Sequence, residues 1–390
     1  MAAMPDVDGL VAAAARLLTA ELGPEVALSD AVALESGNSV IRVTARVSDS
    51  PSQLIVKHVS SVEFDQPDHT GPPSRFLTEW VALDFLASLR ANVSPRLIAA
   101  DRDARLLVVE DLGDWPSLET VLLADDAAAA RRGLEDMGRL LGGLHAASRG
   151  HEEAFISRQR RVGTGSPLSD STIDQRDRRD VFYGALGAVG LAPEGGFWDE
   201  VVELEALIHE DSPFRSLIHA DAGPHNVLLA VGGSRLIDFE FAVYRNALCD
   251  VVGPRLGFPQ TMATGVVTRD AVLAMETAYR LAVATSIPES EDDTVFHRHR
   301  AAAAGHWALN RWAYLWRDHL APMTVGERPG ERIARAIADT QLVLGGFVAA
   351  ARETNDFMAV ADTAEAFTSA LVKRWPDLEP GPVYPALRNQ

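Results

Sequence analysis

One segment, residues 217–242, constrains this chain more than any other because it sets polar side chains between short apolar runs. It reads "LIHADAGPHNVLLAVGGSRLIDFEFA" and carries His219, Asp221, Asn226 and Asp238. Carboxylates at strand ends are costly to bury unless they are paired, hydrogen-bonded or bound to a cation. Two carboxylates and an amide oxygen in one cleft are ligands that suit Mg²⁺. The segment therefore predicts a metal and phosphate site of the kind that phosphoryl transfer requires.

The first part of the chain reads as a small antiparallel sheet. An amphipathic helix ("LVAAAARLLTAELG") precedes two β-rich runs around a turn at Gly37 and Asn38, and a third run ("SQLIVKHV") contains Lys57. A helix with Phe76 and Trp80 at helical spacing follows, and then two more short strands. The pattern predicts a sheet of about five strands with one helix lying across it.

The remainder of the chain is mainly helical in pattern. Residues 125–148 form an Ala-rich and Leu-rich run with helical periodicity, and most of the chain after residue 265 shows the same period. Residues 151–175 are polar and rich in Ser and Gly, which predicts a mobile excursion. We therefore expect an α+β protein with a nucleotide-binding lobe at 1–110 and a helical catalytic lobe at 111–390.

The motifs resemble those of the aminoglycoside phosphotransferase and choline kinase group, small-molecule relatives of the protein kinases. "IHADAGPHNVLL" followed by "LIDFEFA" is similar to the group's catalytic loop and metal motif. The turn "SGNSVIRV", Lys57, Glu79, the hinge-like "VVEDLGD" and the helix end "LGGLHAAS" follow the group's order. The resemblance covers residues 30–258 and implies a two-lobed, protein-kinase-like α+β fold.

The resemblance also implies a role for each matching residue. Asp221 would act as the general base for the acceptor hydroxyl, Asn226 and Asp238 would bind Mg²⁺, and Glu240 would add a further metal or water contact. Lys57 would hold the α and β phosphates of ATP, with its side chain fixed by Glu79. The other residues implied to bind the nucleotide are Gly37, Asn38, Ser39, Glu110, Asp111 and Leu112.

Several of these residues also have ordinary structural interpretations. Taken alone, Lys57 reads as a strand lysine whose stem packs and whose ammonium reaches water, and Glu79 reads as a solvated helix residue. Their order before the downstream motif favours phosphate binding. We interpret His219 as structural and Asp250 as a brace of the catalytic loop.

Trp307, Tyr314 and Trp316, with Asp318 nearby, could form an aromatic and acidic wall for a cationic or sugar-like substrate. Packing in the core is favoured instead, because Trp312 and Trp316 lie four residues apart on one helix.

Two residues depart from the usual pattern of the group. Ala220 stands where a glycine is common, which costs backbone freedom. His225 also occupies a common glycine position, because histidine and glycine have exchanged places around Pro224. Neither departure removes a charge that the chemistry requires. The change at His225 could narrow the acceptor pocket or add a substrate contact.

The composition of the chain limits the classes of molecule that it is expected to bind. A net charge of -19 argues against a broad nucleic-acid surface and leans toward a cationic acceptor, although it could serve solubility alone. Cys249 is the only cysteine, which excludes an internal disulfide. No uninterrupted apolar run reaches the length of a membrane span, so we expect a cytoplasmic protein without membrane contact. Neither of the two lysines lies in a Walker A motif.

These observations predict an ATP-dependent and Mg²⁺-dependent phosphotransferase that moves the γ-phosphate to a hydroxyl of a small molecule. The acceptor remains open among an aminoglycoside-like antibiotic, a sugar or amino sugar, and an amino alcohol such as choline. The rival interpretation is a catalytically silent, kinase-like nucleotide-binding or regulatory protein. A protein kinase ranks last, because no clear activation segment ends in an APE-like motif. The oligomeric state remains open.

Overall fold

The computed structural model describes residues 7–23, 26–34, 39–47, 50–59, 75–163, 175–209, 212–323, 328–378 and 381–388. The chain divides into two compact units, each built from three separate segments. The first unit comprises Met1–Trp115, His151–Ser171 and Arg235–Ala242, and the second comprises Pro116–Gly150, Thr172–Ser234 and Val243–Gln390. The predicted assignment of nucleotide binding to 1–110 and catalysis to 111–390 stays a prediction.

The first unit is a five-stranded antiparallel sheet with helices packed on it. The elements of this unit are α1 (Val7–Leu22), β1 (Val26–Ala33), β2 (Ser39–Val47), β3 (Ser50–His58), α2 (Arg75–Ser88), β4 (Leu97–Asp101), β5 (Leu106–Glu110), α5 (Glu152–Val162) and β8 (Arg235–Leu236). The order of strands in the sheet is β1-β2-β3-β5-β4. This arrangement confirms the predicted small antiparallel sheet.

The alternation of side chains along β3 decides which way Lys57 faces. Val56 is fully buried in the core that α1 forms with one face of the sheet. Lys57 follows it and pairs in register with Leu107, whose side chain packs with Phe76 and Leu77 of α2. Successive strand residues point to opposite faces. Lys57 is therefore directed to the face that α2 covers.

The helix α5 corrects part of the sequence prediction. Residues 151–175 were expected to form a mobile excursion, but Glu152–Val162 is a helix that packs against α2. Phe155 is buried against Phe85 with ring centroids 5.4 Å apart, and Arg158 forms an ion pair with Asp84 at 2.9 Å. The prediction was wrong for this helix because its polar composition hid a stripe of only a few buried positions. Residues 164–174 lie outside the described residues.

The second unit is mainly helical, as predicted. Its strands are β6 (Arg215–Ile218), β7 (Val227–Leu228) and β9 (Val243–Asn246), and β6 pairs antiparallel with β9. Its α-helices are α3 (Leu118–Leu123), α4 (Ala127–Ser148), α6 (Gln175–Gly187), α7 (Phe197–His209), α8 (Leu248–Val251), α9 (Arg269–Val283), α10 (Asp293–Leu315), α11 (Glu331–Thr354) and α12 (Met358–Arg374). A π-helical turn at Trp316–Leu320 follows α10.

Two glycines let α4 and α9 pack closely. A Cβ at Gly138 would lie 2.3 Å from the carbonyl oxygen of Met275, and one at Gly142 would lie 2.5 Å from the Cβ of Ala282. Both glycines are therefore required for the close approach of the two helices. This packing brings His145 of α4 beside Tyr279 of α9, with ring centroids 5.6 Å apart. The "LGGLHAAS" end of α4 thus serves both the helix contact and the placement of the histidine.

One helix among the described residues, α11, is long and apolar enough to cross a membrane by length and composition alone. In the structure it packs against both α10 and α12. Its Ile337, Leu344 and Phe347 are fully buried, and its Asp339 forms an ion pair with Arg311 of α10 at 3.0 Å. These contacts are those of a core helix in a folded unit.

Candidate active site

Lys57 and Glu79 form an ion pair within the first unit. The Lys57 Nζ lies 2.7 Å from the Glu79 Oε1, and Glu79 is only 7% exposed. Burial by itself lowers the pKa of Lys57, but the carboxylates of Glu79 and Asp238 outweigh burial and raise it above its usual range. Lys57 is therefore an ammonium at neutral pH, held in a fixed position by a buried carboxylate.

Asp238 joins this pair from a distant part of the sequence. Its carboxylate also accepts a hydrogen bond from the Lys57 Nζ. Unlike Glu79, the Asp238 side chain is 45% exposed. Its backbone has a φ of 62°, in the left-handed region that non-glycine residues seldom adopt. Such strain concentrates at functional sites, where the surrounding structure holds it in place.

Glu240 extends the acidic group two residues further along the chain. The Glu240 Oε1 lies 3.4 Å from the Arg75 Nη1, and the Arg75 guanidinium also stacks over Phe241. Burial raises the pKa of Glu240, the charge of Arg75 opposes this rise, and the nearby charges of Glu79 and Asp238 add to it. Arg75 was not among the residues predicted from the sequence, because it belongs to no motif and lies at the first position of α2.

The predicted catalytic loop lies in the second unit, between β6 and β7. The Asn226 Nδ2 donates to the main-chain oxygen of Asp221 at 3.0 Å and to its Oδ2 at 3.2 Å. The Asp221 carbonyl also accepts from the N–H of Gly223 at 2.7 Å. These bonds use the amide nitrogen of Asn226 and leave its carbonyl oxygen as the atom that can bind a cation.

Asp250 braces this loop, which confirms the interpretation made from the sequence. Its carboxylate, only 1% exposed, accepts from the N–H of His219 at 2.7 Å and from the N–H of Ala220 at 3.0 Å. Its Oδ2 also lies 3.3 Å from the Nε2 of His145, whose Nδ1 lies 3.2 Å from the Tyr279 hydroxyl. Ala220 has a φ of 63°, so its methyl group sits in the conformation that a glycine would adopt without strain.

The predicted hinge residues lie at the end of β5. The N–H of Glu110 donates to the Arg96 carbonyl at 2.9 Å, and the N–H of Asp111 donates to the Gln53 carbonyl at 3.3 Å. Any adenine contact from these two residues must therefore use their carbonyl groups, and Leu112 supplies the remaining candidate N–H. The Asp111 side chain forms an ion pair with Arg42 at 2.6 Å.

The predicted phosphate-binding turn is only partly described. Gly37 and Asn38 lie outside the described residues. Ser39 is the first residue of β2, where its backbone pairs in register with His58. The placement of this turn therefore stays a prediction.

Of the C-terminal aromatic residues, Trp312 belongs to the core, as the sequence favoured, whereas Tyr314 is 37% exposed. Trp312 is 1% exposed and contacts the rings of Phe182 and Phe367 at centroid distances of 5.1 and 4.6 Å. His299, in the "HRHR" run, is buried and lies 3.0 Å from the Asn246 Nδ2. Burial, reinforced by Arg298, lowers the pKa of His299 to about 4. This histidine is therefore a neutral core residue at neutral pH.

Each unit carries donor groups of a kind that suits a hard divalent cation or a phosphate. The first unit offers the carboxylates of Asp238 and Glu240 beside a charged lysine, and the second unit offers the Asn226 carbonyl oxygen beside the Asp221 carboxylate. Carboxylate and amide oxygens are ligands that Mg²⁺ prefers, and an ammonium point charge suits phosphate oxygens. Each unit on its own therefore carries half of the groups that phosphoryl transfer needs.

Comparison with known proteins places the chain in a family. The sequence model of the phosphotransferase enzyme family matches residues 12–255, more than half of the chain. The chain therefore belongs to the phosphotransferase enzyme family, which confirms the resemblance seen in the sequence. No curated protein is similar enough in sequence to match the chain.

Solved structures with a similar fold include three small-molecule kinases. An amicoumacin kinase in complex with AMP-PNP, Ca²⁺ and Ami is 13% identical, with a TM-score of 0.52 over 87% of this chain and 94% of that chain. The choline kinase of Cryptosporidium parvum Iowa II is 12% identical, with a TM-score of 0.46 over 93% and 99%. A spectinomycin phosphotransferase in complex with ADP and spectinomycin is 13% identical, with a TM-score of 0.42 over 91% and 98%. At these identities the likeness concerns the fold, and the amicoumacin kinase match confirms the kinase-like α+β class.

Proposed function

We propose that this chain is an ATP-dependent and Mg²⁺-dependent phosphotransferase that moves the γ-phosphate of ATP to a hydroxyl group of a small molecule. Membership of the phosphotransferase family supports the reaction type. The composition supports a cytoplasmic location, since the chain has one cysteine and hence no internal disulfide.

One observation carries the proposal: Lys57 contacts both Glu79 and Asp238, which are 22 and 181 residues away in sequence. Glu79 is buried and holds the lysine, whereas Asp238 faces solvent with nearly half of its side chain. A lysine that only stabilised the fold would need one partner. A lysine between a buried and an exposed carboxylate is placed to bind phosphate oxygens while the exposed carboxylate turns to a metal ion.

The chain's own residues would then divide the work. Asp221 would orient the acceptor hydroxyl and take its proton as the attack proceeds. Lys57 would hold the phosphates of the nucleotide, with Glu79 fixing the lysine. Asp238, Glu240 and Asn226 would hold Mg²⁺, which neutralises charge on the transferred group. Asp250 keeps the Asp221 loop in its strained conformation through the N–H groups of His219 and Ala220.

The rival is a catalytically silent, kinase-like protein that binds nucleotide or regulates a partner. Loss of catalysis removes the need to keep the charged set complete. Lys57, Asp221, Asn226 and Asp238 are all present, and Lys57 is paired as the active arrangement requires. The complete set therefore favours the enzyme over the silent protein.

The test is transfer of labelled γ-phosphate from ATP to a panel of amino sugars, aminoglycosides and amino alcohols, with Mg²⁺ and with EDTA. We expect the wild type to phosphorylate at least one acceptor only with Mg²⁺. Asp221→Asn should lower kcat by about 10³-fold or more, because a general base and its charge are lost. Asp125→Asn, the same change at an exposed position of the second unit, should transfer normally. Equally poor hydrolysis and transfer by the wild type and Asp221→Asn on every acceptor, with ATP still bound, would favour the rival.

A further inference from the structure

Two histidines and one glutamate converge in the second unit, and none of them has a part in the proposed phosphoryl transfer. Glu205 and His209 lie four residues apart on α7, so their side chains share one face of that helix. His306 lies on α10, which packs against α7. Three atoms that can bind a metal, one from each side chain, lie within 4.8 Å of one another. Among the described residues, this is the one group of three histidine and carboxylate side chains that converges so closely.

The distances within this group match those between the ligands of a small divalent ion. The His306 Nδ1 lies 3.2 Å from the Glu205 Oε1, and the His209 Nε2 lies 3.0 Å from the Glu205 Oε2. Ligand atoms that bind a tetrahedral zinc ion at about 2.0–2.1 Å lie about 3.3 Å from one another. The two imidazole rings meet edge to face with centroids 5.5 Å apart, and each turns one nitrogen toward the carboxylate. Small movements of the three side chains therefore admit an ion between them.

The group is open to solvent on one side and closed on the other. The His306 side chain is 5% exposed, whereas the side chains of Glu205 and His209 are 16% and 29% exposed. An ion from solvent therefore reaches the glutamate and the outer histidine first, and the buried histidine completes the set. Partial burial also keeps the carboxylate from being fully hydrated, which strengthens its attraction for a cation.

The second nitrogen of His306 has a partner that suits both the metal-free and the metal-bound state. Its Nε2 lies 3.1 Å from the Asn310 Nδ2 and 3.4 Å from the Arg245 Nη1. Without metal, the Nδ1–H donates to Glu205 and the Nε2 accepts from Asn310. With metal on Nδ1, the proton moves to Nε2, and a turn of the Asn310 amide offers its Oδ1 as the acceptor that ligating histidines need. The charge of Arg245 opposes a cation, but it lies at the nitrogen that does not bind the metal.

We propose that Glu205, His209 and His306 form a binding site for a divalent transition metal such as Zn²⁺. Two imidazole nitrogens and one carboxylate oxygen suit Zn²⁺, whereas Mg²⁺ and Ca²⁺ prefer sites made of oxygen atoms alone. Three protein ligands leave a fourth position for water. The bound ion ties α7 to α10 and so stabilises the second unit. This site uses none of the residues of the proposed phosphoryl transfer and does not rest on that function.

The experiment measures metal binding by the full chain without nucleotide. Protein stripped of metal with EDTA, and then freed of EDTA, is titrated with Zn²⁺ in a calorimeter, and its Tm is measured with Zn²⁺, with Mg²⁺ and without either. His209→Gln and Glu205→Gln each remove one ligand. His151→Gln is the matched control, because it makes the same change at an exposed histidine. Asp238→Asn is a second control, because it weakens any binding of Zn²⁺ at the candidate active site.

We expect the wild type to bind one Zn²⁺ at this site and its Tm to rise by about 3–5 °C when Zn²⁺ is 100-fold above its Kd. Mg²⁺ should not raise the Tm in this way. His209→Gln and Glu205→Gln should each weaken this binding by about 100-fold or more, because loss of a ligand costs more than the 10–100-fold that loss of a ligand's outer partner costs. His151→Gln and Asp238→Asn should keep the site. His209 is partly exposed, so its variant should fold even where Glu205→Gln does not.

Two outcomes overturn the inference. A wild type that neither binds Zn²⁺ nor gains stability from it shows that Glu205 only hydrogen-bonds two histidines between two helices. Zn²⁺ binding that is lost in Asp238→Asn, or that keeps its affinity in both His209→Gln and Glu205→Gln, places the ion elsewhere. The proposed function stands or falls separately, because none of these measurements uses ATP or an acceptor.

Discussion

The two units hold their functional groups by different means. In the first unit, Lys57 lies between Glu79 and Asp238, so opposite charges fix the side chains. In the second unit, Asp250 fixes a stretch of backbone through two main-chain N–H groups, and a histidine and a tyrosine hydroxyl lie behind it. Charge pairing leaves side chains able to exchange partners. Main-chain hydrogen bonds fix a shape that cannot change without breaking the loop.

The largest expected effect tests the charge pairing in the first unit. Lys57→Met should lower kcat/KM by about 10²–10³-fold, because the cation proposed to hold the nucleotide phosphates is lost. It should also destabilise the unit by about 3 kcal/mol or more, because Glu79 is left buried without its partner. Transfer assays and denaturant unfolding measure the two effects separately.

The double variant Lys57→Met/Glu79→Leu distinguishes the two effects of that change. Replacing both charges with apolar groups should restore most of the stability but none of the activity. If activity returns with stability, the lysine serves the fold alone and the comparison between the units fails.

The next effect tests the backbone brace in the second unit. Asp250→Asn should lower the free energy of unfolding by about 2–3 kcal/mol, because an asparagine has one oxygen to serve the two N–H groups that the carboxylate bonds. Transfer should fall as well, since the loop carries Asp221. Asp125→Asn, exposed on the same unit, should unfold like the wild type. For the Lys57–Glu79 pair, a second substitution to an apolar residue should restore stability. No such second substitution should rescue Asp250→Asn, because the groups left without a partner are main-chain N–H groups.

A smaller effect is the pH dependence of stability that a buried histidine gives the second unit. The pKa of His299 is lowered to about 4 in the folded protein. Between about pH 6.5 and pH 4, the unfolded chain therefore binds a proton at His299 that the folded protein does not bind. The stabilisation is fully present above pH 6.5 and is lost progressively as the pH falls toward 4, with about 2 kcal/mol lost by pH 5. Denaturant unfolding at several pH values should show this slope in the wild type and a shallower one in His299→Gln. His151→Gln, at an exposed position, should keep the slope.

The smallest effect probes the strain in the catalytic loop. Ala220→Gly should raise the free energy of unfolding by about 0.5–1 kcal/mol, because glycine adopts a φ of 63° without strain. Ala222→Gly, two residues away, fully buried and at an ordinary φ, should instead destabilise the protein. A loss of stability in both variants would show that the methyl group of Ala220 packs well enough to outweigh its strain.

The sequence predicts the charged side chains of the candidate site far better than the backbone conformations and packing contacts around them. Lys57, Glu79 and Asp238 were singled out by residue type and order, and the structure brings these three together. The positive φ of Asp238 was not predicted, because residue identity does not reveal it. The helix Glu152–Val162 escaped prediction for a related reason: its anchor, the ion pair of Arg158 with Asp84, exists only in three dimensions.

The scarcity of lysine makes the site chemically addressable. Lys57 and Lys373 are the only lysines, and they differ sharply in access: Lys373 is exposed in the last turn of α12, whereas the Lys57 side chain is 19% exposed. An amine-directed reagent on the intact protein should therefore modify Lys373 quickly and Lys57 slowly. Mass spectrometry of the two tryptic peptides would then test the proposed nucleotide contact: bound ATP should slow the modification of Lys57, and Lys373 serves as the reference in the same molecule.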